Sequence, residues 1–266
     1  MAESRPGRWS DLRAGLADRL LGAAVILLPL AALEAAVRMG KVNAALVPAP
    51  TAVVARTWDI VAAGSFLAPL GQTLYLLFTA YFAASALAIL MGLLMGRFQA
   101  VYNLFEPLVE LLRPLPKPAL LPPLILLLGL GDAMKLTVIG LAVFFPVLIN
   151  TVQGVRGVDP VLVDTARTFG HRGAGILRSV VLPAALPLVL AGMRVSLALG
   201  LILVVIAEML AGTGGLGYVI LDMQRTFRVL NMYAWLVLLA VLGWGLNKAF
   251  LAAEHRLIFW AGARPQ

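Results

Sequence analysis

Long apolar stretches, separated by short charged segments, make up most of the chain. Residues 60–96 carry no charge over 37 positions, and residues 136–155 and 229–247 carry none over 20 and 19 positions. A helix that spans a membrane needs about 20 mostly apolar residues. The pattern therefore predicts an all-α membrane protein with six transmembrane helices, at residues 20–37, 70–95, 104–130, 136–155, 187–210 and 232–251. Residues 20–252 then form the transmembrane domain, between tails at residues 1–19 and 253–266.

The composition supports lipid as the solvent for most of the surface. Hydrophobic residues make up 61% of the chain and charged residues 13%, against about 45–50% and 25% in soluble domains. Cysteine is absent, which excludes disulfides and thiolate chemistry. The two histidines, His171 and His255, are 84 positions apart, so we expect no metal site. The net charge of +8 is interpreted as cations on cytoplasmic loops and not as a nucleic-acid surface.

The distribution of cations predicts which side of the membrane each loop faces. Six spans place both termini on one side, which holds eleven Arg residues, in the tails, at Arg97 and between Arg156 and Arg178. The opposite side holds six Lys and Arg residues. Because cytoplasmic loops carry an excess of Lys and Arg, both termini are predicted to be cytoplasmic.

The third predicted span is irregular. It contains six prolines, at positions 107, 114, 116, 118, 122 and 123, together with Arg113 and Lys117. Each proline removes a backbone donor, and broken backbone at membrane depth is tolerated only inside protein or along a water-filled path. The segment is either a kinked packing helix or a pore-lining one, and its two charges favour the second interpretation. If the segment stays helical, Arg113 and Lys117 share one face.

Residues 212–217 fit the pattern G-x-G-x-x-G. A dinucleotide site would need a preceding strand and a following helix N-terminus. Here an apolar helix precedes the motif, and the orientation places it on the outer side, so a turn is the better interpretation. No G-x-x-x-x-G-K-[ST] motif occurs, and no nucleotide hydrolysis by a P-loop is expected from this chain.

The longest predicted cytoplasmic loop, residues 154–182, contains signals for short helices. Asp159 and Pro160 fit the cap and first position of a helix over residues 160–169. Leu162, Ala166 and Phe169 share one face of it, and Gly170 is placed to end it, with a positive φ. A second short helix is predicted near residues 173–182, ending at Pro183. These helices either lie against the membrane bundle or bind a partner.

The same loop resembles the EAA loop of ABC-importer permeases. Asp164, Thr165 and Ala166 stand for Glu-Ala-Ala, Gly170 follows at the family spacing, and Val180, Leu182 and Pro183 stand for Ile-x-Leu-Pro. Asp164 is expected either to face a polar or basic partner or to stabilise the loop by pairing with Arg167 at i+3. The likeness to the family covers about residues 45–250. The segments that resemble its nitrate/sulfonate/taurine branch are 113–117, 120–122, 129–131, 144–146 with Asn150, 207–208 and 215–217.

The resemblance implies a type I importer permease fold that works as a dimer. This dimer is expected to consist of two copies of the chain. Two cytoplasmic ATPase subunits and a periplasmic solute-binding protein would complete the transporter in the bacterial inner membrane. The chain would hold no cofactor and catalyse no reaction, since ATP binds the partner. Its solute would be a small anion. The expected coupling residues are those of the loop, and the expected path residues are Arg113, Lys117, Asn150 and Glu208.

The rival function is a secondary transporter driven by an ion gradient. Such folds often carry paired broken helices in corresponding halves, whereas this sequence has one proline-rich span and no matching second one. A receptor or scaffold in the membrane is a third, more remote alternative.

Overall fold

The computed structural model describes residues 8–260, with side chains from residue 21 onward except those of residues 23 and 26. Residues 1–7 and 261–266, which belong to the two predicted tails, lie outside the described residues. The chain divides into two units, one of residues up to 64 with residues 223–235, and one of residues 65–222 with residues from 236 onward.

The first unit contains α1 (Arg8–Arg38) and α2 (Pro50–Ala62). The carboxylate of Glu34 in α1 joins the two helices, because it accepts hydrogen bonds from the backbone N–H of Thr51 at 3.0 Å and from its hydroxyl at 2.8 Å. These bonds satisfy a donor at the N-terminus of α2 that would otherwise be unpaired. Arg38 donates to the same carboxylate at 2.6 Å.

The second unit is built around three long helices. Its elements, in chain order, are α3 (Leu67–Arg97), α4 (Gln99–Leu112), a 3-10 turn (Lys117–Leu120), α5 (Leu121–Leu128), α6 (Asp132–Arg156), α7 (Pro160–Thr168), α8 (Ala174–Ile176), a π-turn (Leu177–Val181) and α9 (Leu182–Ala211). Two further helices, α10 (Leu216–Arg225) and α11 (Val229–Leu257), begin or end within it.

Four helical stretches among the described residues are long and apolar enough to cross a membrane: Leu67–Arg97, Asp132–Arg156, Ala174–Ala211 and Val229–Leu257. The spans predicted at residues 70–95, 136–155, 187–210 and 232–251 each lie within one of them. The irregular third span is a pair of helical segments, Gln99–Leu112 and Lys117–Leu128, that meet at a bend of 90°. Counting this broken pair gives up to five spans.

Helix α6 lies between α3 and α9, and glycines on α3 allow the close approach. A Cβ atom on Gly92 would lie 2.6 Å from the Cβ of Thr151, and one on Gly96 would lie 2.6 Å from the Cβ of Val155. Real Cβ atoms essentially never approach so closely, so only glycine fits these two positions without a shift of α6. This small-x-x-x-small spacing is the usual one for close helix pairs in membranes.

The prediction of a separate second loop helix that ends at Pro183 is wrong. Helical structure begins at Ala174 and continues without a break through Pro183 to Ala211. Proline lacks the N–H that would bond to the carbonyl four residues earlier, and its ring clashes with that carbonyl. The wider π-turn directly before α9 opens the spacing at this point, so the chain passes Pro183 as one helix.

Candidate functional site

The first candidate site is the loop around α7, whose local structure follows its sequence signals. Asp159 caps the helix, since its Oδ1 accepts a hydrogen bond from the backbone N–H of Val161 at 2.9 Å. Pro160 occupies the first helical position. Arg167 donates to Asp164 at 2.7 Å, as the i+3 spacing predicts. The helix ends one residue before the predicted Phe169.

Gly170 ends α7 with a φ of +85°, which confirms the predicted left-handed conformation. The backbone N–H of Gly170 donates to the carbonyl of Arg167, and that of His171 donates to the carbonyl of Ala166, both at 3.0 Å. These two bonds form a Schellman motif, which satisfies carbonyls that the helix itself leaves unpaired. The direction in which the chain leaves α7 is thus fixed by Gly170.

A groove of about 510 Å³ lies beside α7. The predicted face of α7 forms one wall of it: Ala166 is buried, whereas 51% of Leu162 and 81% of Phe169 remain exposed. Six of the predicted loop residues line the groove, namely Leu162, Thr165, Ala166, Phe169, Val180 and Pro183. Large apolar side chains beside an open groove are typical of a surface that binds another protein.

Four lining residues of the groove were not predicted: His171, Ser179, Ala184 and Trp260. Trp260 belongs to the segment after α11, and its ring meets that of Phe259 edge to face at 5.2 Å. It is 91 positions from Phe169 in the sequence, so no local pattern connects it to the loop. Conversely, Leu182 and the ion pair of Asp164 with Arg167 do not line the groove.

The second candidate site is a cavity of about 450 Å³ beside the broken span. Arg113, Lys117 and Asn150, three of the four predicted path residues, line it together. The condition that Arg113 and Lys117 share one helix face fails, because α4 ends at Leu112 and Lys117 begins the 3-10 turn. Both residues reach the cavity through the bend.

Lys117 is committed to the backbone at this bend. Its ammonium donates to the carbonyl oxygens of Leu112 at 2.8 Å, Leu115 at 3.0 Å and Arg113 at 3.3 Å. It also lies 4.5 Å from the centre of the Phe145 ring on α6. An ammonium group has three donors, so these carbonyls use all of them. This geometry favours support of the broken backbone by Lys117 over attraction of an anion.

Glu208 lies apart from the other three predicted path residues. Its side chain is fully buried and does not line the cavity. Its carboxylate accepts hydrogen bonds from the hydroxyl of Thr73 at 2.8 Å and from the backbone N–H of Gly217 at 2.8 Å. Thr73 in turn accepts the N–H of Leu216 at 2.9 Å. Glu208 therefore fixes the start of α10.

The G-x-G-x-x-G motif forms the turn between α9 and α10. Gly215 has a φ of +93°, and a Cβ atom there would collide with the Glu208 carboxylate. The N–H groups of Leu216 and Gly217 already bond to Thr73 and Glu208. An apolar helix precedes this turn in place of the strand that a dinucleotide site requires.

The described residues form several apolar spans, a largely apolar cavity that also carries Arg113, Lys117 and Asn150, and a helical loop with an exposed apolar face. These are the features of a multi-pass membrane transport protein. Residues 84–255 match the family described as "Binding-protein-dependent transport system inner membrane component". The chain belongs to this family.

Two relatives and one solved structure agree with this assignment. The taurine transport system permease protein TauC of Escherichia coli (strain K12) is 33% identical over 193 residues, 73% of this chain and 70% of that protein. SsuC of Bacillus subtilis (strain 168), a permease provisionally assigned to aliphatic sulfonates transport, is 30% identical over 84% of this chain and 80% of that protein. A chain from the crystal structure of an amino acid ABC transporter with histidines has the same fold, with a TM-score of 0.59 at 19% identity over 75% of this chain and 95% of that chain.

The chain is thus the permease component of an ABC transporter of the inner membrane. It is a transport subunit and not an enzyme. The family assignment favours this function over a secondary transporter driven by an ion gradient.

Proposed function

We propose that this permease imports a small anionic solute, and that it receives the energy of ATP through the groove beside α7. Two copies of the chain form the membrane part, as a homodimer. Two ATPase subunits bind on the cytoplasmic side, and a periplasmic binding protein delivers the solute. The broken span and α1 bring the number of spans to six, with both termini in the cytoplasm.

The exposed apolar face of α7 is the observation that carries this proposal. Had α7 served only to cover the bundle, its largest apolar side chains would pack inward. Instead Phe169 is 81% exposed beside the groove, and the buried member of the face is the small Ala166. Contact with a partner protein is more favourable than contact with water for an exposed apolar groove that has polar residues around it.

The coupling follows from differential binding. ATP binding draws the two ATPase subunits together, and a docked α7 moves with the subunit that holds it. ATP then shifts the population between inward-open and outward-open bundles by as much as it prefers one arrangement of the ATPase pair. Hydrolysis removes that preference, and the bundle returns to the inward-open arrangement.

The anionic solute is supported by the cavity and by the relatives. The Arg113 guanidinium lines the cavity, and its planar fork matches carboxylate and sulfonate-like oxyanions. TauC and SsuC are named for taurine and for aliphatic sulfonates, and both kinds of compound carry a sulfonate group.

The test is co-purification of the permease with its ATPase subunit, followed by ATP turnover in proteoliposomes. Phe169→Ser and Leu162→Ser, alone and combined, should insert normally yet lose ATPase binding or stimulated turnover. Val161→Ser is the matched control, because Val161 is on the same helix and 67% exposed but does not line the groove. ATPase binding and turnover at the unsubstituted level in the double variant would refute docking through this face.

A further inference from the structure

The cavity that holds Arg113 offers an anion one strong set of donors. The three donors of Lys117 are bound to backbone carbonyls. Asn150 donates from its amide nitrogen to the carbonyl of Pro146 at 2.8 Å, which leaves one N–H of that amide. The Arg113 guanidinium pairs with Glu110 at 3.5 Å, and both side chains are more than half exposed. Such an exposed pair is weak and exchanges readily.

The remaining wall of the cavity is apolar. Leu115, Ala142, Phe145, Ile149, Leu199 and Leu203 form most of it. Its volume of about 450 Å³ falls in the range of about 300–1,000 Å³ that is usual for small organic ligands. A nitrate ion, with four heavy atoms, would occupy a small part of this space and would exchange its hydration shell for apolar surface, which is unfavourable for a polar group.

The cavity also disfavours a cationic group on the ligand. Among the described residues that line it, none is Asp or Glu. An ammonium group such as that of taurine would meet apolar side chains and the positive charges of Arg113 and Lys117, whereas the Glu110 carboxylate pairs with Arg113 and does not line the cavity. An unpaired charge in such surroundings is costly.

We propose that this cavity selects an organic monoanion, with a sulfonate or carboxylate headgroup on Arg113 and an uncharged apolar body against Phe145 and Leu199. The inference rests on the proposed function, since it treats the cavity as a binding site on the path of the solute. It narrows the solute from any small anion to alkyl or aryl sulfonates and carboxylates. The headgroup forms paired hydrogen bonds to the guanidinium fork, and the body is stabilised by apolar burial.

The experiment measures binding to the purified full-length permease in uncharged detergent, by saturation-transfer difference NMR with titration. The probes are benzenesulfonate, benzoate, taurine and the neutral benzyl alcohol, with nitrate as a competitor. Benzenesulfonate or benzoate should bind at least about tenfold more tightly than taurine and benzyl alcohol. Nitrate should fail to displace them at equal concentration. The preference between the two aromatic anions identifies the headgroup.

Two variants test the geometry. Arg113→Gln should weaken benzenesulfonate binding at least about tenfold, because it removes a charge-assisted bidentate contact. Arg97→Gln, an exposed arginine outside the cavity, should leave binding unchanged. Leu199→Trp reduces the space for the body and should weaken benzenesulfonate more than methanesulfonate.

The inference is overturned if nitrate or taurine binds as tightly as benzenesulfonate, or if Arg113→Gln retains the affinity. This failure is separable from failure of the proposed function. A permease whose ATPase binding depends on Phe169 but which prefers nitrate or taurine contradicts only the selectivity. A permease that binds benzenesulfonate through Arg113 but holds no ATPase contradicts the docking instead.

Discussion

The ammonium nitrogen of Lys117 lies 2.8 Å from the carbonyl oxygen of Leu112, the last residue of α4. The C-terminal carbonyls of a helix have no partners within the helix, and they form the negative end of its dipole. Prolines at positions 114, 116 and 118 remove backbone donors just where those carbonyls need them. Lys117 supplies the missing donors from its side chain, so one residue stabilises the 90° bend of the broken span.

Lys117→Met should therefore act on stability. Three carbonyls lose a charged donor, and the loss should lower the free energy of unfolding by about 1–3 kcal/mol. The measurement is denaturant or thermal unfolding of the purified protein in detergent. Lys41→Met is the matched control, because Lys41 is exposed and lies outside the predicted spans, so this change should alter stability by less than about 0.5 kcal/mol. Equal unfolding of the two variants would show that the bend does not depend on Lys117.

The effect of a substitution at Gly170 on coupling to the ATPase should follow the free-energy cost of placing the new residue at a positive φ. Gly170→Val forces a side chain into a conformation that costs about 1–2 kcal/mol, which shifts the end of α7 relative to the groove, and Gly170→Asp places a negative charge at the same end of the helix, where the helix dipole opposes it. Both variants should insert normally and lose ATPase co-purification or stimulated turnover. Gly170→Asn should retain more activity, since asparagine adopts this conformation more readily. Gly131→Asp, at a glycine with open space and no positive φ, serves as the control. Full ATPase stimulation in Gly170→Val would contradict the prediction.

The proposed orientation is testable by cysteine labelling, which is clean because the chain has no native cysteine. Arg172→Cys, in the loop after α7 and outside the lining of the groove, should react only when a membrane-permeant maleimide is used on intact cells. Ala44→Cys, between α1 and α2, should react with an impermeant maleimide from outside. Both positions are exposed. Labelling of Arg172→Cys by the impermeant reagent would reverse the orientation.

The buried pair of Thr73 and Glu208 should contribute to stability through the start of α10. Thr73→Val keeps the shape of the side chain but leaves the Leu216 N–H and one Glu208 oxygen without a partner. Such a change costs about 1–3 kcal/mol, to be measured by the same unfolding assay. Thr73→Ser keeps the hydroxyl and should lose only the packing of one methyl group. If Thr73→Val and Thr73→Ser unfold alike, the hydroxyl does not carry the contribution.

The glycine pair on α3 should show coupling with α6. Gly96→Ala places a methyl group against Val155, and overpacking of this kind costs about 1–3 kcal/mol. Val155→Ala in the same chain should recover a large part of that loss, as a double-mutant cycle measures. Gly140→Ala is the control, since its Cβ would lie at an ordinary 3.8 Å from Ala84. Additive effects of Gly96→Ala and Val155→Ala would contradict the contact.

Local signals were sufficient to predict the parts of the site that are built from neighbouring residues. The cap at Asp159, the first position at Pro160 and the positive φ at Gly170 all follow from backbone chemistry within a few residues. The same reasoning failed at Pro183, because a proline can lie inside a continuous helix of a membrane bundle, as Pro146 in α6 and Pro187 in α9 also do. The π-turn at Leu177–Val181 lets the helix continue.

The sequence pattern could not predict contacts between residues that are far apart along the chain. Trp260 reaches the groove from the far end of the chain, and nothing near it in the sequence indicates this. Glu208 is in an apolar helix, where a lone carboxylate suggests a path residue. Its actual partners, Thr73 and the N–H of Gly217, come from another helix and from a turn. The sequence identified the unusual residue, and only the packing shows what it bonds to.

The uninterrupted helix from Ala174 to Ala211 has a mechanical consequence. Val180 faces the groove near one end, and Leu199 faces the cavity further along the same helix. At 1.5 Å per residue, they are separated by about 28 Å along one helix, with no loop between them. A displacement at the groove would reach the cavity wall through helical backbone alone, and bending at Pro183 and Pro187 is what would absorb part of it. The residue that would contact the ATPase and the residue that would contact the solute therefore belong to the same helix.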